Sequence, residues 1–221
     1  TNPQTMQQRT LDLIGRGHTA EEIEDSFHMA RSLGFDNINM DLIAGLPKET
    51  AADMADTLEK IGALGPDSLT VHSLAIKRAA KMGQEKSSTG SIVALAGDPA
   101  VMARELSAMI EEAYRAAESM GLSPYYLYRQ KNIAGNFENV GFAKVDKAGI
   151  YNILIMEEKQ SIIAAGAGSS TKILLDEPIL VPGSRHGRKT TLVRVENVKN
   201  IREYIARIDE MINRKGEWLW R

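Results

Sequence analysis

The stretch "NMDLIAGLP", residues 39–47, sets one acid inside an apolar run that a glycine and a proline close. Together with Asn37 and Ile38 the run is short and apolar-rich, which predicts a strand over 37–43 buried in a parallel sheet covered by helices. Asp41 is out of place there. A carboxylate in such a strand costs free energy unless it is paired, hydrogen-bonded or set near a strand end that faces a cavity. The plainer alternative is an Asp that caps the following loop.

The neighbouring segments repeat one grammar. "TAEEIEDSFHMARSLGF" has Thr19 and Glu22 in a capping-box pattern, then Ile23, Phe27, Ala30 and Leu33 on one face, with Gly34 as the stop. "TAADMADTLEKIGALGPD" does the same with Thr50, then Met54, Leu58 and Ile61, ended by Gly65-Pro66. "SLTVHSLAI" reads as the next strand, over 68–74. Upstream, Pro3 marks a helix start, with Met6, Thr10, Leu13 and Ile14 at helical spacing. The alternation is that of an α/β protein with right-handed crossovers. After a basic, then Ser/Gly-rich stretch read as a loop, a long helix is expected over about 100–120, up to Gly121. Beyond it the pattern changes to short strands at "YYLYRQ", "GIYNILIM", "QSIIAAGAGSSTKILL" and "TTLVRVEN". A terminal helix follows, over about 198–213, carrying Ile201, Tyr204, Ile205, Ile208 and Ile212. Two domains are expected: an α/β part, 1–121, and an α+β part with an antiparallel sheet, 122–221.

Composition narrows the function classes. The chain has 221 residues, 43% hydrophobic and 25% charged, with a formal net charge of −2, so no overall basic footprint for nucleic acid is present. No apolar run reaches membrane-spanning length, no signal peptide opens the sequence and no cysteine occurs in it, which makes the cytoplasm the expected compartment. No dinucleotide, phosphate-loop or zinc-protease motif is found, and "GAGSS" alone is a weak glycine signal. His18, His28, His72 and His186 are scattered, and His72 reads as a packed strand residue.

"NMDLIAGLPKET" resembles the NIDLIxGLPxQT strand and loop of the oxygen-independent coproporphyrinogen III oxidase family of radical S-adenosylmethionine (SAM) proteins. The likeness extends through "NPQTMQQRTLDLIGRGHTAEEI", "GPDSLTVHSLAI" and "PYYLYRQKNIAGNFENVGFA", in that order. The resemblance implies the carboxyl-terminal part of a (β/α)6 barrel, contributing two of its strands, followed by a family-specific domain. It implies SAM contacts at Gln4, Arg16, Asp41 and Ala75. Arg16 offers a planar fork to an amino-acid carboxylate. Asp41 can accept from vicinal ribose hydroxyls, which would account for the acid in the strand, and Gln4 can donate and accept nearby. Ile43 and Ala75 would give the adenine its apolar contact. Gly166, Gly168 and Ser170 of "GAGSSTK" match a turn that faces the family's active site, although Ser169-Ser170 stand where many relatives carry Ala-His. Lys77, Arg78 and Lys81, and the stretch 184–190, either meet substrate carboxylates or lie solvated on the surface.

The implied activity of the intact protein is oxidative decarboxylation of coproporphyrinogen III to protoporphyrinogen IX in haem biosynthesis, an oxidoreductase reaction needing SAM and a [4Fe–4S] cluster. The family holds that cluster on a CxxxCxxC loop, and this sequence has no cysteine. The chain is therefore expected to be the carboxyl-terminal half of a longer protein, inactive alone and with no cluster of its own. The strand at 37–43 is then expected to lack a neighbour, leading to self-association, cover by the amino-terminal helix, or distortion. The other readings are a haem-binding chaperone on the same barrel and a cluster-free accessory protein.

Overall fold

The computed structural model describes residues 1–74, 99–128, 139–181, 184 and 187–220. Ala75, Lys77, Arg78, Lys81 and His186 lie outside them. The described residues form two compact units, Thr1–Gly149 and Ile150–Arg221.

In the first unit, α1 (Gln8–Leu13) and α2 (Ala20–Ser32) precede β1 (Asn39–Ala44), α3 (Ala51–Leu64) and β2 (Ser68–Ser73). Then come α4 (Pro99–Ser119), β3 (Ser123–Tyr128) and β4 (Asn139–Ala143), giving a sheet in the order β1-β2-β4-β3. β1 and β2 are parallel, with Asp41 level with Thr70 and Ile43 with His72. β4 runs antiparallel to both β2 and β3. β3 and β4, which follow residue 121, join this sheet, β4 pairing to β2 and β3 to β4.

The helices start and stop for local reasons. Thr19 and Glu22 close the reciprocal cap of α2, and the Asp53 carboxylate accepts from both the N–H and the hydroxyl of Thr50 at the start of α3. Gly65 ends α3 in the left-handed region, at φ 70°. Period two divides β1 cleanly. Met40, Leu42 and Ala44 are fully buried and belong to one core with Phe27, Met54, Ile61, Leu69, Met109 and Phe142, while Asn39, Asp41 and Ile43 point to the opposite face.

Two expectations about the amino terminus are corrected. Pro3 does not open a helix; α1 is only Gln8–Leu13, and Leu13 is exposed. Residues 1–4 are instead extended along the free edge of β1. Thr1 N–H donates to the Asn39 carbonyl at 2.7 Å, and Gln4 bridges Leu42 in parallel, donating to the Asp41 carbonyl and accepting from Ile43 N–H, each at 2.9 Å. Three residue steps on this segment, from Thr1 to Gln4, span the two from Met40 to Leu42. The extra residue is absorbed where Gln4 takes φ 69°, as a bulge does. A third parallel element therefore stands beside β1, where an unpaired edge or a helical cover was expected.

The second unit holds α5 (Ile150–Met156), β5 (Ser170–Leu180), β6 (Lys189–Glu196), α6 (Ile201–Ala206) and α7 (Ile208–Leu219). β5 and β6 form an antiparallel pair, as the strand patterns predict. "GIYNILIM" is a helix and not a strand, because a continuous apolar run carries no period that separates the two. The expected terminal helix breaks at Arg207 into α6 and α7.

Candidate functional site

Asp41 sits mid-strand on the face of the sheet turned away from the helical core. Its Oδ1 accepts from the Asn39 amide at 2.6 Å, and among the described residues it makes no ion pair. Ile43 lies on the same face, one pleat nearer the carboxyl end, level with His72. Gln4 is buried beside them, its side-chain amide donating weakly to the Asn2 carbonyl at 3.4 Å. Arg16 is exposed in the turn after α1, its backbone N–H on the Leu11 carbonyl, and no hydrogen bond or ion pair joins it to Asp41. Topology nevertheless puts Arg16 at the carboxyl end of the strands. Segment 1–4 runs parallel to β1, and α2 covers the return, so the turn before α2 shares an end with Gln4.

The Asp41 face is a row of polar and small groups. Thr70 on β2 donates to the Asn39 Oδ1 at 3.2 Å, and Tyr126 on β3 stands level with Gly141 of β4, its ring laid over that glycine. Asn139 is buried, its carbonyl oxygen accepting Ser73 N–H at 2.9 Å. Burial holds the His72 imidazole below its ordinary pKa against the pull of Asp41, so it is neutral at pH 7. Sequence reasoning missed Asn39, Thr70 and Tyr126. Period two marks Asn39, two residues from Asp41; Thr70 and Tyr126 need the strand register.

Beyond β1 the loop carries Glu49 where the family motif has Gln. Thr5 donates to it at 2.7 Å. Burial raises its pKa above the ordinary value, with Asp53 adding and the Thr5 and Thr10 hydroxyls and Arg9 opposing. Since the folded-state value lies above the unfolded one, ionised Glu49 costs stability above the folded value, and the cost disappears as pH falls below the ordinary value. Glu49→Gln is therefore expected to raise the urea midpoint at pH 7, with the gain shrinking toward pH 4. Equal midpoints across that range would show that burial there carries no cost.

The glycine turn belongs to the second unit. Gly166 and Gly168 have φ of 102° and 72°, which favours glycine. Tyr204 Oη accepts Gly166 N–H at 3.0 Å, and the Asn197 amide donates to the Gly166 carbonyl and the Ser169 hydroxyl, each at 2.9 Å. Ser170 donates to Glu196 across the β5–β6 pair at 2.8 Å.

Parallel strands β1 and β2, with helices on one face and an acid on the other, are the α/β part of this sheet, and residues 1–61 match the Radical SAM superfamily model. The chain is 45% identical over 173 residues to the oxygen-independent coproporphyrinogen-III oxidase-like protein HemZ of Bacillus subtilis, covering 78% of this chain and 33% of that protein. It is 34% identical over 74 residues to the heme chaperone HemW of the same species, covering 34% of this chain and 20% of that protein. The structure of coproporphyrinogen III oxidase HemN from Escherichia coli, a radical SAM enzyme, superposes with TM-score 0.64 at 19% identity, over 95% of this chain and 42% of that one. In sequence the chain is thus similar to the oxygen-independent coproporphyrinogen III oxidase family of radical SAM proteins. It spans about a third of the length of the HemZ relative.

Proposed function

We propose that this chain supplies part of the SAM-binding wall of a radical SAM oxidoreductase that acts on coproporphyrinogen III or a closely related tetrapyrrole in the cytoplasm. Gln4, Arg16, Asp41, Ile43 and Ala75 are the proposed SAM contacts, with Ser170 a further one, and residues 1–121 and 122–221 are the proposed barrel and family-specific parts. One observation carries the reading: a half-buried carboxylate on the inner sheet face whose one described partner is a neutral amide. Such a group is suited to donors brought by a ligand, and vicinal ribose hydroxyls are of that kind. Bound SAM would supply the 5′-deoxyadenosyl group. Gln4 and Asp41 would hold its sugar, Ile43 its adenine and Arg16 its carboxylate. The chain contributes no thiolate to a [4Fe–4S] cluster, since it contains no cysteine.

The likeness to the heme chaperone HemW supports a second reading, haem binding on the same frame. Equilibrium dialysis of the chain against labelled SAM, then against haem, separates them. Saturable SAM binding, competed by S-adenosylhomocysteine and weakened roughly tenfold by Arg16→Ala, is expected from loss of a charge-assisted pair. Saturable haem binding with no SAM uptake would replace the oxidoreductase reading by the second.

A further inference from the structure

Gln4 has φ 69°, a left-handed conformation that is costly for any residue but glycine and persists only where its surroundings hold it. Four non-glycine residues among those described have positive φ. Two of them, Gln4 and Lys48, directly precede the two partners of one hydrogen bond, from the Thr5 hydroxyl to Glu49 Oε1 at 2.7 Å. Gln4 and Thr5 close the segment beside β1, and Lys48 and Glu49 lie in the loop that leaves β1 for α3. The bond thus ties two left-handed turns together at the carboxyl end of that strand.

Thr5 is the centre of this tie. It is 1% exposed, as is Thr57 on α3. The one hydroxyl hydrogen of Thr5 goes to Glu49, so its 3.2 Å contact with the Thr57 hydroxyl is donated by Thr57. Thr5 Oγ also accepts Gln7 N–H at 3.1 Å, which fills its second lone pair, and Thr57 Oγ accepts Met6 N–H at 3.2 Å. The Gln7 side-chain amide continues onto the Asp53 carbonyl and the Asp56 carboxylate, at 3.2 and 2.5 Å. On the other side, the Gln4 backbone is bonded to the Asp41 carbonyl and to Ile43 N–H. Gln4 is therefore held between β1 and a buried hydroxyl pair whose hydrogen bonds are all directed.

We propose that Thr5 and Glu49 are positioning residues for Gln4: their hydrogen bond locks the left-handed turn and so fixes Gln4 beside Asp41 and Ile43. The inference rests on the SAM reading for the identity of the ligand these three residues meet, and on the hydrogen bonds alone for the lock. In the full chain, Glu49→Ala is expected to speed amide exchange at Gln4 and Ile43 by about tenfold, read by NMR. Leu74, whose N–H donates to the Ala44 carbonyl on the far side of β1, should exchange as in wild type. SAM binding in dialysis is expected to weaken by about fivefold. Glu49→Gln keeps an acceptor for Thr5 and should leave exchange and affinity at wild-type values, which excludes a role for the charge. Thr5→Val keeps the volume, removes the hydroxyl and should repeat the Glu49→Ala result, which excludes a role for bulk. Unchanged Gln4 and Ile43 exchange in Glu49→Ala and Thr5→Val, or equal losses in Glu49→Gln, would overturn the lock. Faster exchange with wild-type SAM affinity, or loss of the fold in both variants, would overturn the positioning role and leave a structural clasp. If exchange responds as expected while wild-type chain takes up no SAM, the lock stands and the ligand assigned to Gln4 falls.

Discussion

Asp67→Ala is expected to remove about 3 kcal/mol of stability, the usual scale for stranding the partners of a buried ionised group. Asp67 is 6% exposed at the entrance to β2. Its Oδ2 accepts Ile38 N–H at 3.0 Å and pairs with Arg31 at 2.5 Å, while Oδ1 pairs with Lys144 at 3.2 Å. Arg31 also donates to the Phe35 and Gly65 carbonyls and lies 5.2 Å from the centre of the Phe27 ring. One carboxylate thus gathers the end of α2, the entries to β1 and β2, and the chain just after β4. Burial opposes its ionisation, yet the Ile38, Arg31 and Lys144 bonds prevail and hold its pKa below the ordinary value. A depressed folded-state value means that the contribution is complete above the ordinary aspartate range and fades as pH falls through the folded one. Urea unfolding followed by circular dichroism at pH 7 and at pH 3 measures both claims. Superimposable curves for Asp67→Ala and wild type at pH 7 would show that the junction is held by packing alone.

The helices of the first unit were legible because their signals are local. Thr19 with Glu22, Thr50 with Asp53, Gly34 and Gly65 each fix an end within one turn of chain, and Ile23, Phe27, Met54, Leu58 and Ile61 fill the predicted faces. Strand β1 was legible from its short apolar-rich run closed by Gly45 and Pro47, displaced by one or two residues from 37–43 to 39–44. Non-local pairing was not legible. Residues 1–4 have no strand pattern and become one by joining the edge of β1, so only the partner defines them. β4, "NVGFA", was hidden by its glycine, which ordinarily weakens a strand and here clears room for a ring from the next one. In the second unit, Ile201, Ile205 and Ile212 repeat at helical spacing but stay exposed, so period alone did not reveal what they cover. The same limit applied to the candidate site. Asp41 stood out because it is costly in isolation, whereas Asn39, Thr70 and Tyr126 gain meaning only from a register set across three strands.

Asp41→Ala is expected to separate ligand binding from folding. The side chain is on the inner face, outside the core built on Met40, Leu42 and Ala44, and its one described hydrogen bond is local, to Asn39. Losing that bond should lower stability by no more than about 1 kcal/mol, since neighbouring polar groups remain to take up the amide. Losing ribose hydrogen bonds to a charged acceptor should weaken SAM binding by about 1.5–3 kcal/mol, roughly tenfold to a hundredfold. Asp41→Asn sharpens the contrast. It keeps the shape and removes the charge, and its amide must present either oxygen or nitrogen to Asn39, so one neighbour always meets the wrong group. Dialysis with SAM beside thermal melts of all three chains decides between the roles. A lost affinity with preserved melting temperature places Asp41 at the ligand. An unchanged affinity with a collapsed melting temperature would make Asp41 a structural acid that ties Asn39 to the strand, and would move the SAM contacts to other residues.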